Sequence, residues 1–391
     1  MTRHDFDTSR TRHIKPFYVM DVLERAKAME REGTSVIHLE VGEPDFDTPE
    51  PVKRAICEAL DRNETHYTHS LGIPELREAI SAHYQEKYGV RVSPEQVAVT
   101  NGTSPAMLLL FTAILEPGQE VILSDPHYAC YPTFVRMACG EPVFVPVHED
   151  DGFQYRADSI RAALTDQTRA IFINSPSNPT GNLLSSERME KIAALAQGDG
   201  PAIASDEIYH GLVYEGEERT ILEFTDNAFV LNGFSKLHAM TGLRLGYVIA
   251  PLDYMRVIQK LAQNLYISAN SVTQWAGVAA LTQCGEETER MKHTYNERRR
   301  FMLKRLKEIG FGITVEPTGA FYVLANARFL GMDSYSLAFD ILEKAGVGVT
   351  PGTDFGPGGE GYIRFSYANS LANIDQGMDR LDQYVRERLG G

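Results

Sequence analysis

Asn232-Gly-Phe-Ser-Lys-Leu-His-Ala-Met-Thr-Gly-Leu-Arg-Leu-Gly246 is the stretch of sequence that decides the fold. It follows one apolar run, Phe229–Leu231, and leads into another, Leu245–Ile249, and both are typical of buried strands. Lys236 therefore lies where the chain leaves a sheet. Most lysines are solvated surface charges. A lysine that forms a Schiff base instead needs partial desolvation and neighbouring cations, which lower its pKa and expose the amine. This stretch offers both.

The neighbours of this lysine are suited to a phosphate group. Ser235 offers a hydroxyl, and Arg244 offers bidentate, charge-assisted hydrogen bonds. A second phosphate signal is Thr100-Asn-Gly-Thr-Ser-Pro-Ala106, which joins a predicted strand to a predicted helix. Backbone N–H groups at such a helix start accept an anion, here those of Gly102, Thr103 and Ser104. Many α/β proteins have similar turns without ligands, so this turn is weak on its own.

Outward from this stretch the chain alternates strand-like runs with helical patterns, such as Ala106–Leu115 and Ser186–Ala196. This alternation predicts an α/β fold whose mostly parallel sheet of seven strands lies between helices. Ligands of such sheets bind at the carboxyl ends of the strands. The predicted strands are Gln96–Val99, Val121–Leu123, Pro142–Val147, Ala170–Ile173, Ala202–Ala204, Phe229–Leu231 and Leu245–Ile249.

The last hundred residues predict a smaller α+β unit. Their pattern is a helix, a strand, a helix and a strand, namely Glu286–Ile309, Phe321–Leu324, Tyr335–Ala345 and Gly361–Ser366. A helical pattern near the start of the chain, Val19–Glu32, is expected to pack with them. We therefore predict a large domain of residues 48–285 and a small domain of residues 1–47 and 286–391.

Two further polar groups follow predicted strands. Asp206 and Tyr209 lie in Ser205-Asp-Glu-Ile-Tyr209, and Asn178 lies in Asn174-Ser-Pro-Ser-Asn-Pro-Thr-Gly181. Asp206 is either a helix N-cap or the partner of a protonated ring nitrogen in a cofactor that accepts electrons. The stretch around Asn178 is either an ordinary turn or the source of an amide that reaches cofactor and substrate. No role is assigned to Glu207.

Arg364 lies in the middle of a predicted strand, between apolar neighbours. The alternation of side chains along a strand permits two positions for its charge. It either faces solvent or faces inward and needs a partner. If it faces inward, it is suited to a bidentate grip on the carboxylate of a substrate.

Composition bounds the function. The chain has 391 residues, 43% of them apolar, and a net charge of −15. This charge argues against a nucleic-acid partner, because phosphate backbones attract basic surfaces. The four cysteines form no CxxC pair, so we predict no metal site. Residues 1–16 have no apolar core, and the longest apolar stretch, Met107–Leu115, is too short to span a bilayer. We predict a cytoplasmic protein without a membrane partner.

The sequence resembles the class I/II aminotransferases of pyridoxal-phosphate (PLP) fold type I, the aspartate-aminotransferase-like enzymes. The resemblance covers Ile37–Ala368 and is carried by SPSNPTG, SDEIY, GFSKLHAMTGLRLGY and YIRFSYA, in that order and spacing. It implies an enzyme with PLP as cofactor, which transfers an amino group from an L-amino acid to a 2-oxo acid by a ping-pong mechanism.

The resemblance also implies a set of site residues. Lys236 would hold the cofactor and carry the proton during transfer. The groups at the cofactor ring would be Asp206, Tyr209, Asn178 and Tyr128, the last of which is otherwise core packing. The phosphate would be bound by Gly102, Thr103, Ser104, Ser235 and Arg244. The substrate carboxylate would meet Gly42, Asn178 and Arg364. Tyr67 would reach the phosphate of a partner subunit, which implies a homodimer with shared active sites.

Substrate and reaction stay partly open. Ser104 stands where some aspartate-specific members carry a lysine, and Gln263–Trp275 contains no arginine or lysine. A dicarboxylate substrate is therefore doubtful, and we expect Phe17, Tyr18 and Tyr266 to line an apolar or aromatic pocket. A β-lyase on the same fold is one alternative function, because fold and cofactor do not determine the reaction. A non-catalytic effector-binding module is another.

Overall fold

The computed structural model describes Thr8 and residues 11–390. Twelve strands and twelve α-helices run through these residues. The strands are β1 (Ile37–His38), β2 (Val97–Thr100), β3 (Glu120–Asp125), β4 (Glu141–Pro146), β5 (Thr168–Asn174), β6 (Ala202–Asp206), β7 (Ala228–Gly233), β8 (Gly246–Ile249), β9 (Tyr322–Asn326), β10 (Val347–Gly348), β11 (Thr350–Pro351) and β12 (Tyr362–Ser366). The helices are α1 (Tyr18–Arg31), α2 (Glu50–Asp61), α3 (Pro74–Tyr88), α4 (Thr103–Ile114), α5 (Tyr131–Met137), α6 (Ala157–Ala163), α7 (Ser186–Ala193), α8 (Leu252–Leu265), α9 (Ser271–Gln283), α10 (Gly285–Ile309), α11 (Ser334–Ala345) and α12 (Leu371–Leu389).

The central sheet has seven strands in the order β2-β8-β7-β6-β5-β3-β4. Strand β8 runs antiparallel to its neighbours β2 and β7, and the other neighbouring strands are parallel. Each of the seven predicted strands lies in this sheet. The predicted α/β fold with a mostly parallel sheet is therefore confirmed.

Both faces of the sheet are buried, which is why its strands are continuous apolar runs rather than alternating ones. Along β5, Ile171 and Ile173 enter the apolar core on one face, and Phe172 between them enters the core on the other. Phe229, Val230 and Leu231 of β7 are likewise fully buried. The strand ends, where backbone and polar side chains leave these cores, are thereby held in fixed positions.

The C-terminal part forms the predicted smaller α+β unit. Strands β11, β12 and β9 make an antiparallel sheet in that order, and the short β1 pairs with β10 in parallel. Helix α1 packs here, because its Val22 and Ala26 share a core with Leu337 and Ile341 of α11. The domain boundaries at residues 47/48 and 285/286 stay a prediction, and residues 1–7, 9, 10 and 391 of the predicted small domain lie outside the described residues.

Candidate active site

The reversed direction of β8 brings two cations to the same edge of the central sheet. Strand β7 ends at Gly233, and β8 begins at Gly246 on that edge, because the two strands are antiparallel. Lys236 follows the end of β7, and Arg244 precedes the start of β8. The residues between them form the β7–β8 loop (residues 234–245), which contains a 3-10 turn, Thr241–Leu243.

Eleven of the predicted site residues line one cavity of about 260 Å³ between the central sheet and the small sheet. They are Gly42, Thr103, Ser104, Tyr128, Asn178, Asp206, Tyr209, Ser235, Lys236, Arg244 and Arg364. Gly102 lies directly behind this wall, beside the guanidinium of Arg244. Tyr67 is not part of the cavity wall, and 77% of its surface is exposed in the single chain.

Lys236 has the environment of a nucleophilic amine. Its Nζ donates a hydrogen bond to the carbonyl oxygen of Gly42 at 2.6 Å. Burial, helped by the positive charge of Arg364, lowers the pKa of Lys236 to about 8. A substantial share of this amine is therefore neutral near physiological pH, unlike that of an exposed lysine.

Asp206 is the last residue of β6 and is buried. Its Oδ2 accepts a hydrogen bond from Tyr131 Oη at 2.7 Å, and its Oδ1 accepts one from the backbone N–H of Ile208 at 3.1 Å. Burial raises the pKa of Asp206 to about 6, while the two hydrogen bonds act to lower it. The helix N-cap interpretation is wrong, because a turn and not a helix follows Asp206.

Arg364 faces inward and is 3% exposed, so the solvent-facing alternative is wrong. Its Nη1 donates to Asn178 Oδ1 at 2.9 Å, and its Nη2 donates to the carbonyl oxygen of Glu40 at 2.7 Å. The rings of Tyr322 and Phe355 lie against the guanidinium, 4.4 and 4.8 Å from Cζ to the ring centroids. Nη2 also donates to Thr350 Oγ1 at 3.1 Å, so one N–H of Nη1 and the buried Nε–H are the donors without a partner within the described chain.

The start of α4 forms a cradle with Arg244. Gly102 precedes the helix with a φ of 96°, and a Cβ added there would lie 2.5 Å from Nη2 of Arg244. Only glycine combines this backbone conformation with so close an approach. The first N–H groups of α4, the guanidinium of Arg244 and the hydroxyl of Ser235 thus border one end of the cavity. This end is suited to a phosphate dianion.

These groups together fit the cofactor implied by the resemblance. PLP carries a phosphate, an aldehyde and a basic ring nitrogen. The cradle at α4 suits the phosphate, the amine of Lys236 suits the aldehyde, and the buried carboxyl of Asp206 suits a protonated ring nitrogen.

Glu207, next to Asp206, points away from the cavity. Its Oε1 accepts hydrogen bonds from Ser205 Oγ, Thr220 Oγ1 and the backbone N–H of Ile221, each 3.0 Å long. Burial raises the pKa of Glu207 to about 8. These hydrogen bonds hold the segment that follows β6 in place, and they do not involve any residue that lines the cavity.

Several cavity residues were not predicted from the sequence. Tyr131 and Tyr322 are two of them, and both belong to runs that are typical of ordinary core tyrosines. The others are Val19, Met20, Val41, Met107, Ile208 and Thr241. Phe17 lines the cavity as expected, 6.0 Å from Tyr128 between ring centroids. The expectation for Tyr18 and Tyr266 is wrong for the single chain, in which neither lines this cavity and Tyr18 packs against Tyr335.

Comparison with known proteins agrees with the geometry. The sequence profile described as aminotransferase class I and II matches residues 34–381. A (5-formylfuran-3-yl)methyl phosphate transaminase of Methanocaldococcus jannaschii is 41% identical, over 97% of this chain and 100% of that protein. An aspartate aminotransferase of Pyrococcus horikoshii is 40% identical, over 97% of each chain. The solved structure of Thermus thermophilus aspartate aminotransferase with maleate has a TM-score of 0.92 and 37% identity, covering 96% of this chain and 99% of that chain. In the part of the chain that the structure describes, no helix is long and apolar enough to cross a membrane.

Proposed function

The chain belongs to the class I and II aminotransferases, and from this premise we propose that the cavity around Lys236 is its PLP site. The chain is thus an enzyme that transfers an amino group from an amino acid to a 2-oxo acid, in a family that depends on PLP. The observation that carries the proposal is the meeting of Lys236, Asp206 and Arg364 at one cavity. When bound, PLP supplies an electron sink for the carbanion that forms at the α carbon of the amino acid.

The residues at the cavity divide the work of holding the cofactor. Lys236 forms the covalent bond to it, for which a pKa of about 8 keeps a useful share of the amine neutral. Asp206 keeps the ring nitrogen protonated, since a buried carboxylate favours a neighbouring positive charge. The ring is held by Asn178, Tyr209 and Tyr128, and the phosphate by Gly102, Thr103, Ser104, Ser235 and Arg244.

The substrate carboxylate meets the planar guanidinium of Arg364, whose Nη1 has one N–H group left to donate. The substrate carboxylate also meets Asn178, which accepts a hydrogen bond from Arg364, and the backbone at Gly42. Binding of the carboxylate orients the α carbon of the substrate toward Lys236 Nζ, which takes the α proton and later returns it. The same groups act again when a 2-oxo acid enters, and this repetition gives ping-pong kinetics.

Reductive labelling tests the site. Borohydride treatment of freshly purified protein is expected to fix one cofactor per chain on Lys236, located by mass spectrometry of peptides. Lys260, exposed on α8, is the internal control and stays unlabelled. A protein without cofactor at position 236 contradicts the proposed site.

A half-reaction assay separates the alternative functions. Amino acids are expected to convert the bound cofactor to pyridoxamine phosphate and to release a 2-oxo acid in equal amount. Release of pyruvate and ammonia from a β-substituted amino acid, without pyridoxamine phosphate, indicates a β-lyase. Binding without either change indicates an effector-binding module.

The side chain of the amino donor is proposed to be uncharged. Apart from the groups assigned to the cofactor and the substrate, the cavity wall is mostly apolar, with Phe17, Val19, Met20 and Val41. The cations of the cavity wall are Lys236, Arg244 and Arg364, all of which already have roles above. A second carboxylate would therefore lose its hydration without gaining a partner from this chain. A panel of donors against 2-oxoglutarate and pyruvate tests this, and aspartate as the best donor contradicts it.

A homodimer with shared sites is also proposed. Tyr67 is 77% exposed in the single chain, and Leu265 and Ile267, within the stretch Gln263–Trp275, are 52% and 46% exposed. Such exposed apolar groups are typical of interfaces. Mixing inactive Lys236→Ala and Tyr67→Ala chains is expected to restore activity, because one site of the mixed dimer then keeps both groups. No recovery in a mixed dimer contradicts sharing of Tyr67.

The cytoplasm is the proposed compartment. Cys57, Cys130 and Cys284 carry free thiols, and a reducing compartment keeps thiols in that state. Fractionation of the source cells with an antibody against the chain tests this proposal.

A further inference from the structure

We propose that Tyr322 is a positioning residue that couples Arg364 to Tyr209, and so links substrate binding to the state of the cofactor ring. The inference rests on the proposed function of the cavity and goes beyond the set of groups that hold cofactor and substrate. Tyr322 opens β9 and is 1% exposed. It lines the cavity but is not among the residues proposed to hold the cofactor or the substrate.

The register of the small sheet explains why Tyr322 reaches Arg364. Strands β9 and β12 are antiparallel, with Tyr322 opposite Ser366 and Leu324 opposite Arg364. Tyr322 and Arg364 are therefore diagonal neighbours on the same face, within reach of a long and an aromatic side chain. The guanidinium lies 4.4 Å from the ring centroid of Tyr322, so the ring fixes the plane in which Arg364 presents its donors.

The hydroxyl of Tyr322 reaches a different element. Its Oη lies 2.8 Å from Oη of Tyr209, which follows β6 in the large sheet. If Tyr209 donates its hydrogen bond to an oxygen on the cofactor ring, the oxygen of Tyr209 can accept a hydrogen bond from Tyr322. Burial raises the pKa of Tyr322, so it stays a neutral donor at physiological pH. A donor behind Tyr209 strengthens the hydrogen bond that Tyr209 gives.

Tyr322 also touches the segment that holds Lys236 in place. A Cβ on Gly42 would overlap the Tyr322 hydroxyl. The carbonyl oxygen of the same glycine accepts the hydrogen bond of Lys236 Nζ at 2.6 Å. One tyrosine thus contacts the strand that carries Arg364, the turn that carries Tyr209 and the segment that accepts from Lys236.

The test uses the holoenzyme with two substitutions that separate ring from hydroxyl. Tyr322→Phe keeps the ring beside Arg364 but removes the donor to Tyr209. The pH midpoint of the visible absorbance of the bound cofactor is expected to rise by about 0.5 unit, because a weaker bond from Tyr209 stabilises the deprotonated chromophore less. The KM for the amino acid is expected to stay within about twofold, because the ring remains.

Tyr322→Leu removes the ring as well. The KM for an amino acid is then expected to rise about tenfold, while the KM for the corresponding amine without a carboxylate stays unchanged, because the plane of Arg364 is no longer fixed. The control is Tyr362→Phe in the same sheet. Its hydroxyl donates to Glu149 at 2.9 Å, outside the cavity, so neither the midpoint nor the KM should move.

The outcomes separate this inference from the proposed function. Wild-type protein that is not labelled at Lys236 by borohydride refutes the function, and the inference with it. Labelled Tyr322→Phe protein with an unchanged absorbance midpoint refutes the positioning role alone, whatever its melting temperature. If Tyr322→Leu does not fold, the midpoint of Tyr322→Phe still decides.

Discussion

The two halves of the cavity are built in different ways. One half, which we call the strand-end half, uses groups at the edge of the central sheet, with Lys236, Asp206 and the start of α4. The other, the mid-strand half, uses the inner face of the small sheet, with Arg364 and Tyr322. Strand ends free polar groups of the backbone for a ligand, whereas a charge in the middle of a strand is tolerated only with partners around it.

This difference in construction corresponds to a difference in proposed role, because the chemistry belongs to the strand-end half and substrate binding belongs to the mid-strand half. The proposed covalent bond, ring charge and proton transfer belong to the strand-end half, where burial has moved the pKa values of Lys236 and Asp206 toward each other, to about 8 and about 6. The mid-strand half holds the guanidinium of Arg364 by aromatic rings and oxygen acceptors and leaves two of its five N–H groups without a partner within the described residues. Damage to the first half should lower kcat, and damage to the second should raise KM.

Lys236→Ala should have the largest effect. It removes both the covalent attachment and the group that moves the proton, so the transfer rate is expected to fall by at least about 10⁴-fold. The rate is measured as 2-oxo acid release in a single turnover with added PLP. Lys260→Ala, on the exposed side of α8, is the matched control. A residual rate within about tenfold of wild type would remove Lys236 from the chemistry.

Asp206→Asn should come next. The amide keeps a hydrogen-bonding side chain but not the negative charge, and an unpaired buried charge costs about 3 kcal/mol, or about a hundredfold in rate. We expect the loss in kcat, with KM nearly unchanged. Asp199→Asn, at an exposed position, is the control. A loss that appears mainly in KM would show that the two halves are not separate in function.

Arg364→Lys tests the mid-strand half. A lysine keeps the charge but lacks the planar fork, so binding of the carboxylate is expected to weaken by about 2 kcal/mol, or about thirtyfold in KM. The measurement compares an amino acid with the amine that lacks its carboxylate. An equal loss for both substrates would contradict the proposed role of Arg364.

The pH dependence of cofactor capture sharpens the claim for Lys236. Only the neutral amine attacks the aldehyde, and the pKa of Lys236 is lowered to about 8. In cofactor-free protein the rate of covalent capture of PLP should therefore rise about tenfold from pH 6 to pH 7 and level off above pH 8. Stopped-flow absorbance measures this rate. A rise that continues to pH 10, as for an ordinary lysine, would contradict the lowered pKa.

Asp354→Asn should have the smallest effect. The carboxylate of Asp354 accepts hydrogen bonds from the backbone N–H groups of Tyr18 and Val19, at 3.0 and 3.2 Å, and so fixes the start of α1. The amide keeps one of these bonds, so KM should rise by about fivefold, or about 1 kcal/mol. Asp333→Asn is the matched control, because Asp333 caps α11 and does not line the cavity. This control should change neither KM nor the melting temperature appreciably, because asparagine caps a helix about as well as aspartate.

The contrast between the strand-end half and the mid-strand half also explains which features of the structure can be predicted from the sequence. The seven strands of the central sheet are predictable because both of their faces are buried, and apolar runs then mark them to within a few residues. Helix α10 was predicted as Glu286–Ile309 and begins one residue earlier, at Gly285. Groups such as Lys236 and Asp206 stand out because they interrupt the pattern where strands end.

The mid-strand half is harder to predict. The alternation of a strand does not say which face is buried, so the direction of Arg364 stayed open. Tyr322 lies in an apolar run, and its hydroxyl acquires a partner only through the register of β9 and β12. The position of Phe17 in the cavity wall depends on the hydrogen bond from the backbone of the next residue, Tyr18, to Asp354, more than 300 residues away in the chain. Such contacts follow from the tertiary fold and leave no local pattern.

The antiparallel strand β8 has a mechanical consequence. A parallel successor to β7 would need a crossover that returns the chain to the opposite edge of the sheet. The reversed β8 instead keeps Lys236 and Arg244 on one loop at a single edge, residues 234–245, with both ends held by the β7–β8 hydrogen bonds. A shift of this loop would therefore carry the amine of Lys236 and the guanidinium of Arg244 together, so the group proposed to bond the cofactor and the group proposed to hold its phosphate would keep their spacing.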